Sequence, residues 1–190
     1  MSKVFLNNLK NNAVKSKKFI QTASEKIEDK IIKNKNSFLN DFDNHPVTKE
    51  IQDGPDASNN SNTLGGKGNL FSYIGFQRTD KPIKDLRSFL ASQFKFKKNI
   101  NKKNKIQYII DLPSITQIKE ETRMPWENGK SWVIGIEKGI SGLSNYLYKK
   151  WESSRSGSAI QTPNSLRGLS FKPMPYLSEL LAKLRIGLRR

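Results

Sequence analysis

The stretch LGGKGN, residues 64–69, holds the residue types of a phosphate-cradling loop: glycines that let backbone amides turn toward an anion, and one lysine to meet its charge. A nucleoside triphosphate loop needs a lysine followed by Ser or Thr to hold magnesium, and it runs from a strand into a helix. Here Lys67 is followed by Gly68, and the loop precedes the apolar run LFSYIGF, residues 70–76, instead of following one. The spacing also lacks the glycine pattern of a dinucleotide-binding turn. The glycines therefore read as positions that permit positive φ between a polar segment and an apolar one. The polar segment, QDGPDASNNSNTLGGKGN at 52–69, is composed of turn formers and reads as a mobile loop that orders, if at all, against a partner subunit.

A second concentration of chemistry is basic. Lys95, Lys97, Lys98, Lys102, Lys103 and Lys105 fall within eleven residues that include no acid, close to Phe94 and Phe96. Such a density can neutralise nucleic-acid phosphates, with affinity that falls as salt rises, or it can dock on an acidic protein neighbour; the residues alone leave both open. Acid–base or nucleophilic catalysis has no comparable support. The carboxylates Asp41 and Asp43, and Glu120 and Glu121, sit in polar segments suited to solvated charge, and any Ser or Thr triad would have to use His45, the single histidine. No catalytic residue, cofactor site or metal site is assigned: with no cysteine and one histidine, thiolate sites are excluded and a zinc site would need carboxylates almost alone.

The charge balance extends beyond that cluster. Thirty-four Lys and Arg against 17 Asp and Glu give a formal net charge of +17, which favours nucleic acid, an acidic protein surface or anionic lipid as partner and says nothing of fold. The N-terminal residues lack an apolar segment of signal-peptide length, and no run approaches the ~20 apolar residues of a membrane span, so no membrane role is expected.

These residues must be positioned by elements that the apolar spacing outlines. From Val4 to Phe42, apolar residues recur in steps of three and four, which predicts an amphipathic helix that is either continuous or broken near Ser16 and Asn34–Asn36. Such a length exceeds what a domain of this size can cover, so its partner is expected in a neighbouring subunit. Pro46 ends the segment and leaves His45 as a boundary residue, solvated or capping. LFSYIGF reads as a strand, 82–94 as a helix, 95–112 as a β-hairpin with a basic tip, and 113–122 as a short helix with a capping box from Ser114 to Gln117. SWVIGIEKGI, 131–140, reads as a further strand; LSNYLYKKW, 143–151, fits strand or helix. The C-terminal segment carries Tyr176, Leu177, Leu180, Leu181, Leu184 and Leu188 on one face, with Pro175 suited to the first turn, and these residues are expected in a core or a subunit interface. The fold class expected is α+β: a long N-terminal helix, a small, mostly antiparallel sheet and an amphipathic C-terminal helix. Residues 1–45 form a helical arm, and 46–190 form one domain with flexible loops at 52–69 and 152–170.

In this order, SNTLGG in a small-residue loop, the apolar segments LFSYIGF, KIQYIIDL and SWVIGIEKGI, NYLYKKW before a second loop, and FKPMPYLSELLAKL resemble the tail-completion, or head-to-tail joining, proteins of tailed bacteriophages. Tyr146, Tyr148, Pro175, Tyr176 and Leu177 carry the match. The sequence departs from the family at KKWESSRSG, where a glycine-threonine pair is usual, and 113–130 have no counterpart. The resemblance implies a non-enzymatic virion protein of the neck, assembled in the host cytoplasm as a homo-oligomeric ring. Its neighbours would be portal or connector proteins and tail terminator or tube proteins, and its lysines would face genome DNA or an acidic adjoining ring. The runner-up reading is a basic nucleic-acid-binding module that uses residues 95–105.

Overall fold

The structure, a computed structural model, describes residues 17–66, 68–100, 106–125, 129–139, 146–147, 160–161 and 171–189. It is α+β and mostly helical, with a long N-terminal helix, an antiparallel hairpin and an amphipathic C-terminal helix. Helix α1 spans Lys17–Asn44 as 28 residues, about 42 Å at 1.5 Å per residue. It runs unbroken through the polar 34–36 segment because that segment finds partners: Asn34 Nδ2 donates back to the Lys30 carbonyl at 2.8 Å, and Lys35 Nζ donates to the Ala91 carbonyl at 2.9 Å.

The partner of α1 lies within the same chain. Helix α7, Leu177–Arg189, packs along α1 and buries Leu177, Leu180, Leu181 and Leu184, while α1 contributes Ile31, Phe38 and Phe42 to the same core. Lys183 pairs with Asp41 at 2.7 Å across the seam, and a Cβ at Gly187 would overlap the Asn34 side chain, so the helices approach closely there. From Ile31 to Phe42 the apolar stripe of the long helix is thus covered by the chain's own C-terminal helix, while Phe19 and Ile32 stay exposed. Of the N-terminal arm, Ile31, Phe38 and Phe42 belong to the core.

Pro46 does end the first segment, and at once begins another. Helix α2, Pro46–Gln52, has proline in its first turn and His45 as N-cap. A 3₁₀ turn, Gly54–Asp56, leads on to α3, Leu70–Ile74. Here the strand expected for LFSYIGF is a short helix: Asn69 accepts from Ser72 N at its start, Gly75 takes φ 87° at its end, and all five residues are buried. SWVIGIEKGI is likewise no strand. It forms α6, Trp132–Lys138, with the Ser131 hydroxyl as N-cap acceptor and Gly139 at φ 88° closing it. In both segments the helix caps override the β preference of the aromatic and branched residues.

The remaining elements follow the sequence closely. Helix α4 is Pro82–Gln93, and α5 is Ile115–Glu121 with both halves of its capping box made, Ser114 Oγ accepting from Gln117 N and Gln117 Oε1 from Ser114 N. Strands β1, Lys95–Ile100, and β2, Ile106–Asp111, pair antiparallel with Lys95 opposite Asp111 and Lys98 opposite Tyr108. Residues Tyr146–Leu147 (β3) and Ile160–Gln161 (β4) form a second short pair, which places part of LSNYLYKKW in a strand. The other positions of the 152–170 loop, with Tyr148, lie outside the described residues.

Candidate interaction surfaces

The hairpin carries the densest charge among the candidate residues. Lys95, Lys97 and Lys98 lie on β1 and are exposed, whereas Lys102, Lys103 and Lys105 lie outside the described residues. Alternation along the strand puts Lys95 and Lys97 on one face with Ile109 and Asp111 opposite them, and Phe96 and Lys98 on the other, beside Ile110 and Tyr108. This second face turns toward α1: Tyr108 OH donates to Glu28 Oε1 at 2.8 Å, and Phe96 meets the Tyr108 ring at 6.2 Å. Burial, with the Glu28 carboxylate beside it, raises the Tyr108 pKa. Two residues from α1 thus aim the hairpin, Glu28 through its carboxylate and Ser24 through its carbonyl, and on the first face Ile109 is 46% exposed.

The glycine-rich loop has a different organisation from the one expected of it. Gly65, Gly66 and Gly68 take φ of 61°, 80° and 68°, the positive values that the sequence suggests. The described residues of the segment are held by bonds within their own chain. Its organiser is Glu50, fully buried on α2: Oε1 accepts from Asn59 Nδ2 at 2.8 Å and from Leu70 N at 2.7 Å, and Oε2 accepts from Ser61 N at 2.8 Å. Asn59 extends the cluster, its Oδ1 accepting from Leu64 N and Gly66 N at 3.0 and 3.1 Å. The rejected phosphate loop gains a physical explanation here. The loop does enter a helix N-terminus, but the chain's own carboxylate occupies it, and Asn69 takes the next free amide. An incoming phosphate would meet a buried anion.

Sequence reasoning missed Glu50 and Asn59. Glu50 stands three residues after Val47 and beside Ile51, both buried, so the helical face was readable, but a charged residue on an apolar face is ordinarily solvated at its edge.

Tyr176, Leu177, Leu180, Leu181 and Leu184 are buried inside the chain. Of the two places the sequence offers them, core and subunit interface, the structure gives the core. Tyr176 OH and Thr48 Oγ1 are 2.7 Å apart, its ring lies 6.0 Å from that of Phe42 in a stacked arrangement, and burial raises its pKa strongly. Pro175 lies just ahead of α7 and outside its first turn. Glu137 of α6 caps that helix instead, accepting from Tyr176 N at 3.2 Å and Ser178 N at 2.7 Å. His45 is a capping residue, one of the two roles expected of it. Its Nδ1 accepts from Val47 N at 3.3 Å and its ring sits 4.8 Å from Tyr176; burial lowers its pKa, against the opposing pull of Glu179 and of a hydrogen bond with the Pro175 carbonyl.

Among the described residues, no cluster of His, Cys, Asp and Glu could hold a metal ion, and no helix is long and apolar enough to cross a membrane. Comparison with protein-family models, curated proteins and solved structures finds no match to this chain.

Proposed function

We propose that the chain is a non-enzymatic structural subunit of a phage neck, a ring-forming tail-completion protein that joins the head connector to the tail. The observation that carries this reading is the entry into the final helix. Pro175, Tyr176 and Leu177, three of the positions on which the resemblance rests, form one unit in which Tyr176 is wedged between α1 and α2 and Glu137 caps the helix. Two other segments of the resemblance, LFSYIGF and SWVIGIEKGI, are helices and lend it nothing. Electron microscopy of the purified chain with the products of its neighbouring genes tests the proposal. The expected result is a closed ring, or incorporation into one, at a head or tail end. A monodisperse monomer that never joins purified connectors or tails refutes it.

The exposed lysines of β1 favour a second reading, binding of DNA through its backbone. Neutralising Lys97 and Lys98 should then flatten the dependence of log affinity on log salt by about one unit for each phosphate left unneutralised. Absence of binding at low salt removes this reading.

A further inference from the structure

The structure contains an open cleft of about 1000 Å³ on the side of α2 away from α7, and none of the features described above uses it. Its floor is apolar, formed by Ile51, Phe71 and Ile83, and the rings of Pro55 and Pro82 flank it. Three lysines stand in its walls: Lys49 on α2, Lys81 at the N-cap of α4, and Lys84 in that helix's first turn. The two arginines of the cleft are already committed. Arg87 grips Asp43 through Nε at 2.8 Å and Nη2 at 3.0 Å, and Arg78 reaches Asp56 at 3.7 Å. Lys49, Lys81 and Lys84 are exposed and form no ion pair among the described residues.

The geometry points to this cleft as the docking site for an acidic, apolar-anchored peptide segment of a partner protein. A volume of this size takes several side chains, and a floor without polar side chains favours a leucine or aromatic anchor, which a nucleic-acid backbone does not offer. Asp43, Asp53 and Asp80 share the lining, so a compact phosphate dianion would meet carboxylates as well as lysines. An extended peptide instead spreads single charges and can set each against a separate lysine. A second copy of this chain is disfavoured as occupant, because a net charge of +17 on each copy opposes their approach. The partner is therefore acidic. The inference stands on the cleft alone and does not depend on the neck assignment.

Fluorescence anisotropy on the full chain tests it with four labelled probes: a short peptide in which Glu alternates with Leu and Phe, the same peptide with Lys for Glu, the same with Ser for Leu and Phe, and a single-stranded oligonucleotide of matched charge. The first should bind most tightly, and more tightly at low salt. The variant Lys49→Glu/Lys81→Glu/Lys84→Glu should weaken that binding by about tenfold or more, as three partly screened charge pairs are removed, while Lys97→Ala/Lys98→Ala leaves it unchanged. An unaltered thermal melt of the triple variant shows that the fold persists; if the melt shifts, the single variant Lys84→Gln, on an exposed helix turn, replaces it, with a smaller loss expected in the same direction. The proposal is overturned if the acidic peptide does not bind, if it binds without regard to its apolar residues or to the cleft lysines, or if the oligonucleotide is the probe those lysines select.

Discussion

Replacing Glu50 by glutamine preserves the shape of the side chain and removes one acceptor from a buried cluster that supplies three donors. With the amide oxygen in the Oε1 position, the hydrogen bonds from Asn59 Nδ2 and Leu70 N survive, and the new NH₂ faces Ser61 N, donor against donor. The opposite rotamer satisfies Ser61 N but strands Leu70 N and leaves Asn59 Nδ2 only its longer bonds to Ser61 Oγ and Thr63 Oγ1. Asn59 cannot compensate by turning its amide, because its Oδ1 already serves Leu64 N and Gly66 N. One orphaned buried donor costs about 1–3 kcal/mol. Relief from burying a charge acts in the other direction, but hydrogen bonds to an ionised acceptor are the stronger kind, so Glu50→Gln should be destabilising by about 1–3 kcal/mol.

Glu50→Ala orphans the Ser61 and Leu70 amides, leaves Asn59 Nδ2 only its longer bonds to Ser61 Oγ and Thr63 Oγ1 at 3.2 and 3.4 Å, and should cost more, about 3–5 kcal/mol with its cavity. Urea unfolding followed by circular dichroism gives both values, and amide exchange locates them: Ser61, Leu64, Gly66 and Leu70 should lose protection before the α1–α7 seam does. Added acetate should restore part of the stability of Glu50→Ala by supplying a carboxylate to the cluster, and should leave the parent chain unaffected. Glu50→Gln at or above the stability of the parent chain, with unchanged exchange at Ser61 and Leu70, would refute the assignment of Glu50 as organiser of the loop.

Three further outcomes test the packing of the C-terminal helix. Tyr176→Phe removes the 2.7 Å hydrogen bond with Thr48 and leaves the fully buried threonine hydroxyl without it, which should lower stability by about 1–3 kcal/mol in thermal or urea unfolding. Leu181→Ala should cost about 2–5 kcal/mol, and a loss within ~0.5 kcal/mol would show α7 to be free of α1. Because burial holds His45 below its usual 6.5, the unfolded chain takes up its proton at higher pH than the folded chain, so this residue's contribution is complete above 6.5 and declines as the pH falls from there toward the lowered folded value. His45→Asn, which keeps a capping acceptor, should flatten the urea midpoint across that window; an unchanged slope would remove His45 as its source.

What was legible in the sequence depended on length and punctuation. The C-terminal helix, α4 and the hairpin each run long enough for period or alternation to show, and the capping box at Ser114 was visible in four letters. LFSYIGF failed because five helical residues make little more than one turn, so an aromatic-rich run carries no period and its β preference decides the reading. The overlooked signals were the caps, Asn69 before it and Gly75 after it, and the same pattern of Ser131 and Gly139 brackets α6. For the long helix, the period was legible and the packing of its Ile31–Phe42 stretch on the C-terminal helix was not. A stripe on α1 and a stripe on α7 are separated by most of the chain, and nothing local says that one covers the other. Glu50 was hidden for the opposite reason, since its value lies in three donors that come from residues 59, 61 and 70 and meet only after folding.

The pairing of α1 with α7 also constrains how any assembly forms. Had the long apolar stripe been left for a neighbour, subunits would associate through a hydrophobic seam, and association would be largely indifferent to salt. From Ile31 to Phe42 that stripe is covered within the chain, and the large apolar residues exposed among the described ones are Phe19 and Ile32 on α1, Phe96 and Ile109 on the hairpin, Ile115 on α5 and Ile186 on α7. Among the described residues, concentrated character survives in two places, the lysine face of β1 and the lysine-walled cleft beside α2 and α4. Contacts made there include charge contacts, screened within about 8–10 Å at physiological salt, and in the cleft these stand beside an apolar floor. A partner of this chain is therefore expected to be acidic, to be captured quickly, and to be weakened by added salt.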